Sequence, residues 1–371
     1  MDFAPTPEQV QLRDSVRGFL GKYSPESEVR RLMDGPEGYD PAVWQRMARD
    51  MGLQGLIIPE EYGGSGASWR DLGIVLEELG RALTVAPFFA TVVLGAVTIL
   101  ESGDTAAQAR LLPGIADGTT IATVALTDDS GNWGEPGDAV TASGSAGQYR
   151  LTGRKSYVLD GHAADLIIVP VRTAGGTTLF TVRGDAVGLS RTLLSSLDLT
   201  RKLARLDFAD VAAEPLGAVD AGWPVLERVL DFAAVGLAAE QAGGARAALD
   251  MAVEYAKLRV QFGQVIGSFQ SIKHLLADLL LEVESAKSAA DYALWAASEG
   301  SGEFPAAASL AQAYCSDAYV LAAHQNIQVH GGIGYTWEVP PHLHFKRAKS
   351  MELYLGEPDF HRERLAQRIG A

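Results

Sequence analysis

The chain alternates between two kinds of hydrophobic pattern. From about residue 5 to residue 115 the apolar positions keep a helical spacing. Thr6-Pro7-Glu8 reads as a cap followed by proline in a first turn. Val10, Leu12, Val16 and Leu20 then recur at intervals that predict an amphipathic helix. Ile57-Ile58-Pro59-Glu60-Glu61-Tyr62-Gly63-Gly64-Ser65-Gly66 interrupts this zone, because a proline and three glycines cannot continue a helix. From about 118 to 220 the pattern shortens. Leu166–Val171, Leu179–Val182 and Leu203–Val211 are brief apolar runs between Gly, Asp and Ser clusters, the pattern of short strands in an antiparallel sheet or barrel. From Trp223 onward long helical periodicity returns. Val225–Leu258 and Ile272–Ser298 have few breakers and predict a helical bundle. The predicted class is α+β, in the order helices, sheet, helices.

One stretch, Leu83 to Leu100, carries no charge and has the length of a membrane span. It contains Pro87, Gly95 and three threonines, and it is the only such run, so it is read as a buried core helix. Charge then narrows the function classes. Asp and Glu number 46 against 31 Lys and Arg, a net charge of −15, which disfavours nucleic-acid binding. The single cysteine, Cys315, allows no internal disulfide. The first residues lack a basic segment followed by an apolar one, so a secretory signal is not expected. A cytoplasmic protein that does not enter a membrane is the expectation.

Ready-made catalytic patterns are missing: there is no GxGxxG after a strand, no P-loop, no HExxH and no GxSxG. His342, His344 and His361 do not have metal-ligand spacing with carboxylates, so no metal site is expected. Two local patterns stand out. Arg259-Val260-Gln261-Phe262-Gly263 follows a helix ending near Leu258, with Gln270 downstream. Gln328-Val329-His330-Gly331-Gly332-Ile333-Gly334 follows a helix expected to end near Ile327. Paired glycines let a backbone approach an anion closely, and an arginine can add a charge-assisted contact. Each pattern has a plainer reading too. Gly331-Gly332 can be a helix stop, and Arg259 a surface ion-pair partner.

Taken together and in order, these residues resemble the acyl-CoA dehydrogenase family over essentially the whole chain. The matching segments include Met1-Asp2-Phe3, Glu8-Gln9, Leu12 to Arg17, Ile58 to Gly64, Glu77 to Arg81 and Leu151 to Lys155. They end with Arg259-x-x-Phe262-Gly263 and Gln328-x-x-Gly331-Gly332-x-Gly334. The resemblance implies an N-terminal all-α domain (1–117), a middle antiparallel β-domain (118–221) and a C-terminal four-helix bundle (222–371). It implies FAD and an oxidoreductase of lipid β-oxidation that forms an α,β-unsaturated acyl-CoA. An electron-transferring flavoprotein would be the electron acceptor. A carboxylate would take the α-proton of the thioester while hydride leaves the β-carbon for the flavin. Arg259, Phe262, Gly263, Gln270, Gln328, Gly331, Gly332, Gly334, Thr127 and Tyr157 match cofactor-binding positions.

The departures are as informative. The family's usual base position falls on Leu355, and an alternative one falls on Ala233, with Asp231 matching a family aspartate that is not the base. Glu240, seven residues after Ala233 on the same helical face, is the remaining candidate; the plainer reading pairs it with Arg246. The flavin-cradling segment reads Thr127-Asp128-Asp129-Ser130-Gly131-Asn132-Trp133, and Tyr157-Val158-Leu159 has leucine in place of a threonine. Glu357-Pro358-Asp359 puts two carboxylates where a Thr-x-Gln contact is usual, and these would repel a pyrophosphate. In the family, Arg259, Phe262, Gln270, Gln328 and Gly332 match residues that reach a partner's FAD. Those are kept, while the base and the subunit's own cradle are altered. The expectation is therefore a base-less subunit of a mixed α2β2-type assembly with a homologous subunit. The alternatives are a self-sufficient homo-oligomer (dimer or tetramer) with a displaced base, and a non-catalytic scaffold.

Overall fold

A computed structural model describes residues 4–145 and 147–371; the Met1-Asp2-Phe3 match lies outside the described residues. In chain order the helices α1 (Pro7–Tyr23), α2 (Glu26–Asp34), α3 (Pro41–Arg49) and α4 (Trp69–Arg81) come first. A π-helical segment, Phe89–Ala96, runs into α5 (Val97–Glu101), and α6 (Thr105–Ala116) follows. The strands are β1 (Ala122–Val124), β2 (Val140–Ser145), β3 (Gln148–Leu159), β4 (Leu166–Thr173), β5 (Gly176–Arg183), β6 (Leu189–Leu193) and β7 (Leu203–Leu216). Helix α7 (Gly222–Leu258), the small hairpin β8 (Val260–Gln261) and β9 (Gln264–Val265), and helices α8 (Gln270–Ser298), α9 (Phe304–His330), α10 (Pro341–Leu353) and α11 (Pro358–Ile369) complete it. The order helices, sheet, helices is as the sequence predicts.

The chain forms two compact units. One comprises Met1–Val29, Trp69–Thr84 and Ala234–Ala371. Here α1 opens with a capping box: Thr6 accepts from the Gln9 amide, and the Gln9 side chain accepts from the Thr6 amide. The buried face of α1 holds Gln9, Val16 and Leu20, whereas Val10 is exposed; Gln9 is drawn inward because its amide donates to Asp71 of α4 at 3.0 Å. Two glycines set the approach of α4 to α7. A Cβ on Gly80 would lie 2.1 Å from the Glu240 carbonyl, and one on Gly243 would lie 1.9 Å from the Glu77 carbonyl. The helices therefore touch backbone to backbone, which no larger residue permits. On α4, buried Glu78 accepts both Arg17 Nε at 2.9 Å and Arg17 Nη2 at 2.6 Å, a bidentate pair. Helix α9 packs against α8, α10 and α11.

The other unit comprises Arg30–Ser68 and Val85–Ala233. Its seven-stranded sheet has the order β1-β4-β5-β7-β3-β2, with β6 also on β7. The strand pairings of this sheet are antiparallel, as expected, apart from β1 with β4 at one edge, which is parallel. The long strand β7 overruns its expected end at Val211 by five residues. Leu83–Leu100 is not one helix: Leu83 takes φ 49, and the helical segment begins only after Pro87. Its residues are buried on all sides, as a core helix requires. Among the described residues no helix is long and apolar enough to cross a membrane.

Candidate functional site

Helix α7 ends where its backbone can no longer continue, and the chain folds into a tight hairpin. The Arg259 amide donates to the Tyr255 carbonyl at 2.8 Å, and the Ile266 amide closes back on the Arg259 carbonyl at 2.8 Å. Val260 pairs with Val265 and Gln261 with Gln264, so Phe262 and Gly263 are the two loop residues. Both have positive φ, 53 and 81, as a primed two-residue turn demands. Glycine adopts that easily, whereas Phe262 does so at some strain and holds its ring 91% exposed. The ring meets Phe269 edge-on, centroids 6.1 Å apart. Gln270, at the start of α8, is exposed and directs its amide to His274 at 3.4 Å.

The second motif sits at the end of α9. That helix continues to His330, three residues past the expected end at Ile327, because nothing breaks it before Gly331. Gln328 and His330 are thus helical; Gln328 is exposed and His330 buried. Gly331 turns the chain with φ 68 and ψ −147, a conformation open to glycine alone. The three glycines differ in what they are for. Gly334 is demanded by packing, since a Cβ there would lie 2.9 Å from the Ile327 carbonyl. Gly331 is demanded by its dihedrals. Gly332 has no positive φ and no protein atom within 4 Å of where a Cβ would stand.

The two motifs meet. Tyr255, Arg259, His330, Gly331 and Gly332 line one cavity of about 370 Å³. Tyr255 stacks on His330, ring centroids 4.0 Å apart and planes inclined by 21°. Ala252, Ala256 and Val329 form the apolar base beneath, with Ile266, Ile272, Leu275 and Leu276 packed on it. Arg259 is exposed and, among the described residues, engages no carboxylate, so the ion-pair reading gives way to that of a free cation beside the cavity. Gly331 proves to be both helix stop and cavity wall. Sequence reasoning missed Tyr255 and did not weigh His330 apart from its motif. An aromatic residue one helical turn before Arg259 was the available signal.

The remaining candidates lie elsewhere. Thr127 is buried and its hydroxyl donates to the Ser156 carbonyl at 2.7 Å, while the Ser156 amide donates to the Thr127 carbonyl at 3.0 Å. Lys155 donates to the Leu126 carbonyl at 3.2 Å, and burial pushes its pKa down to about 8. The Ser130 hydroxyl holds the Asp128 carboxyl below the usual carboxylate range, and Asp129 accepts from Ser156. This segment therefore spends its polar groups on its own sheet. Tyr157 takes φ 57 where the β3–β7 register slips, which turns its ring outward, 44% exposed. Leu159 is buried, and its carbonyl accepts from Thr123.

Neither usual base position carries an acid. Leu355 is buried with φ 67, and its carbonyl accepts from His361 Nε2 at 3.1 Å. Ala233 is fully buried. Glu240 is buried where α4 crosses α7. It stands fifteen residues before Tyr255 on one helix, roughly 22 Å along the axis. Its expected partner Arg246 turns to Asp250 at 2.9 Å and Glu284 at 2.7 Å, because six residues along a helix face a different side. Asp359 is paired with Arg362 at 2.7 Å. His342, His344 and His361 are buried, and the described residues contain no cluster of three or more His, Cys, Asp or Glu side chains that could hold a metal ion.

The residues fit an anionic dinucleotide tail at the cavity: a free guanidinium, an aromatic wall, and a glycine whose missing side chain no protein contact explains. Residues 6–119 match the model described as acyl-CoA dehydrogenase, N-terminal domain, and residues 220–370 the corresponding C-terminal domain. The acyl-CoA dehydrogenase IpdE2 of Mycobacterium tuberculosis is 35% identical over 354 residues, 95% of each chain. Among solved structures, butyryl-CoA dehydrogenase from Megasphaera elsdenii superimposes with a TM-score of 0.91 at 28% identity, covering 100% of both chains. A chain of the ChsE4-ChsE5 complex from Mycobacterium tuberculosis does so with a TM-score of 0.90 at 28% identity, covering 100% of this chain and 99% of that one.

Proposed function

The chain belongs to the acyl-CoA dehydrogenase family, and from that premise we propose that it is the base-less subunit of a mixed assembly that dehydrogenates an acyl-CoA thioester. The observation that carries the reading is a contrast within one polypeptide. The cavity of Arg259, His330, Gly331 and Gly332 is formed and open. The two base positions, Leu355 and Ala233, hold buried hydrocarbon. A chain that can grip a nucleotide but cannot accept a proton at those positions is suited to work beside one that can. That one matched structure is described as a complex of two differently named components is in keeping with this.

In this reading the cavity receives the adenosine-diphosphate end of FAD. Arg259 supplies a charge-assisted contact to the diphosphate, and Gly332 lets backbone approach it closely. Phe262 and Gln270 extend the clamp from the hairpin and the start of α8. Gln328, exposed on the last turn of α9, and Gly334, held in the following turn by packing, flank the same site. Thr127, in the segment after β1, and Tyr157 on β3 match cofactor positions, but the Thr127 hydroxyl is engaged with Ser156. When bound, FAD supplies the acceptor for the hydride that leaves the β-carbon. The α-proton goes to a carboxylate of the partner subunit. Electrons pass onward to an electron-transferring flavoprotein.

The visible spectrum tests this. The chain expressed alone should be colourless or nearly so, and should become yellow and active when co-expressed with a base-bearing homologue. Stoichiometric flavin in the isolated chain, bleached by an acyl-CoA, would overturn the proposal in favour of a self-sufficient enzyme. A colourless, inert product under both conditions would leave only a scaffold.

A further inference from the structure

The imidazole of His330 is fixed by its surroundings. Its Nδ1 lies 2.9 Å from the Asn326 carbonyl, one turn back on α9. A carbonyl oxygen only accepts, so Nδ1 carries the hydrogen and Nε2 keeps a lone pair. Stacking on Tyr255 fixes the plane of the ring. Among the described residues Nε2 has no protein partner, and His330 lines the cavity. The polar side chains that share the cavity with it are Tyr255 from α7, Arg259 just after that helix, and Gln261 of β8, whose amide nitrogen is engaged with the Val260 carbonyl; the hydrophobic residues of α8 packed on the cavity's base are Ile272, Leu275 and Leu276. No carboxylate is present to favour an imidazolium, and burial lowers the pKa below the ordinary histidine value. At neutral pH the ring is a neutral acceptor.

A lone pair cannot bond a phosphate oxygen, which is also an acceptor. The cavity thus offers a cation and a close-approach glycine for an anion, and beside them, in the fixed ring of His330, an acceptor that requires a donor. Building on the cavity's proposed role as a nucleotide site, we infer that His330 Nε2 accepts a hydroxyl hydrogen from a sugar or polyol joined to the diphosphate. It is thereby a specificity-determining residue for that hydroxyl. Two sources share this chemistry, the ribose of the adenosine half and the ribityl chain of the flavin half.

Calorimetric titration of the full chain with ADP, 2′-deoxy-ADP, 3′-deoxy-ADP and FMN tests it. His330→Phe keeps an aromatic ring against Tyr255 and removes the acceptor; His330→Gln restores an acceptor. For a ribose contact, one deoxy analogue binds wild type about five- to tenfold more weakly than ADP, the effect of one hydrogen bond. His330→Phe loses the same factor for ADP and none for that analogue, and His330→Gln recovers part of it. For a ribityl contact, FMN binding falls in His330→Phe while ADP binding does not. ADP and FMN affinities both unchanged in His330→Phe would overturn the inference while leaving the nucleotide site standing. Failure of every probe to bind wild type would overturn that site as well. If His330→Phe does not fold, the comparison of ADP with its deoxy analogues and FMN on wild type and His330→Gln decides by the same criteria.

Discussion

Replacing Gly332 with alanine separates what the fold needs from what a ligand needs. No protein atom lies within 4 Å of the new Cβ, and φ at this position is not positive. The fold should therefore be unharmed, or gain about 0.4–1 kcal/mol from a less flexible unfolded chain. Gly332 lines the cavity together with Arg259 and His330, so the added methyl is expected to stand on the ligand's side of the turn. It holds an anion away from the turn, at the cost of a charge-assisted hydrogen bond of about 1.5–3 kcal/mol. That corresponds to roughly a tenfold to 150-fold loss of ADP affinity. Calorimetry with ADP reads the affinity, and urea denaturation reads the stability. Gly243→Ala is the converse control. Its Cβ would stand 1.9 Å from the Glu77 carbonyl, so α4 and α7 must separate, costing about 1–3 kcal/mol or more. Unchanged ADP affinity in a stable Gly332→Ala protein would refute the assignment of this glycine to ligand approach.

Three further outcomes are expected. Arg259→Gln should weaken ADP binding and flatten its dependence on salt, measured by titration at two ionic strengths; an unchanged slope would remove Arg259 from the contact. Glu240→Gln should change the rate of acyl-CoA-dependent flavin reduction in the assembled enzyme less than threefold, whereas a loss of about 10²–10⁴-fold would return the base to this chain. Burial pushes the pKa of His344 down to about 3 and that of His361 down to about 4. Both are therefore lower folded than unfolded, so their stabilising contribution is full above about pH 6.5 and declines as pH falls toward those values. Each should lose up to about 1.4 kcal/mol per pH unit in that window. The urea midpoint should fall between pH 7 and pH 5, and less steeply in His344→Gln; parallel slopes would contradict the assignment.

The helices and their caps were readable because the signals are local. Thr6 and Gln9 sit three residues apart, and the long periodic runs leave few other folds open. Val10 was misplaced because spacing alone does not reveal that Gln9 has a partner, Asp71, sixty-two positions away. The cavity was half legible. Arg259 and the glycines announce anion chemistry, but the Tyr255–His330 stack joins residues seventy-five positions apart and no local pattern encodes it. Nor could sequence separate Gly332 from Gly334: both are glycine, one for a ligand's approach and one for a neighbouring carbonyl. That His342, His344 and His361 are buried is likewise not encoded in their spacing, because burial is a property of packing.

The hairpin after α7 has a consequence for handling the protein. Its apex lifts a phenyl ring into water on a backbone conformation that phenylalanine disfavours. Hiding a ring of this size from solvent is worth about 2 kcal/mol, and Leu258 and Val260 are bared alongside it. A lone copy therefore carries an adhesive knob. Overproduced without a mate, it should clump through this knuckle, and trimming Phe262 to serine should keep it in solution.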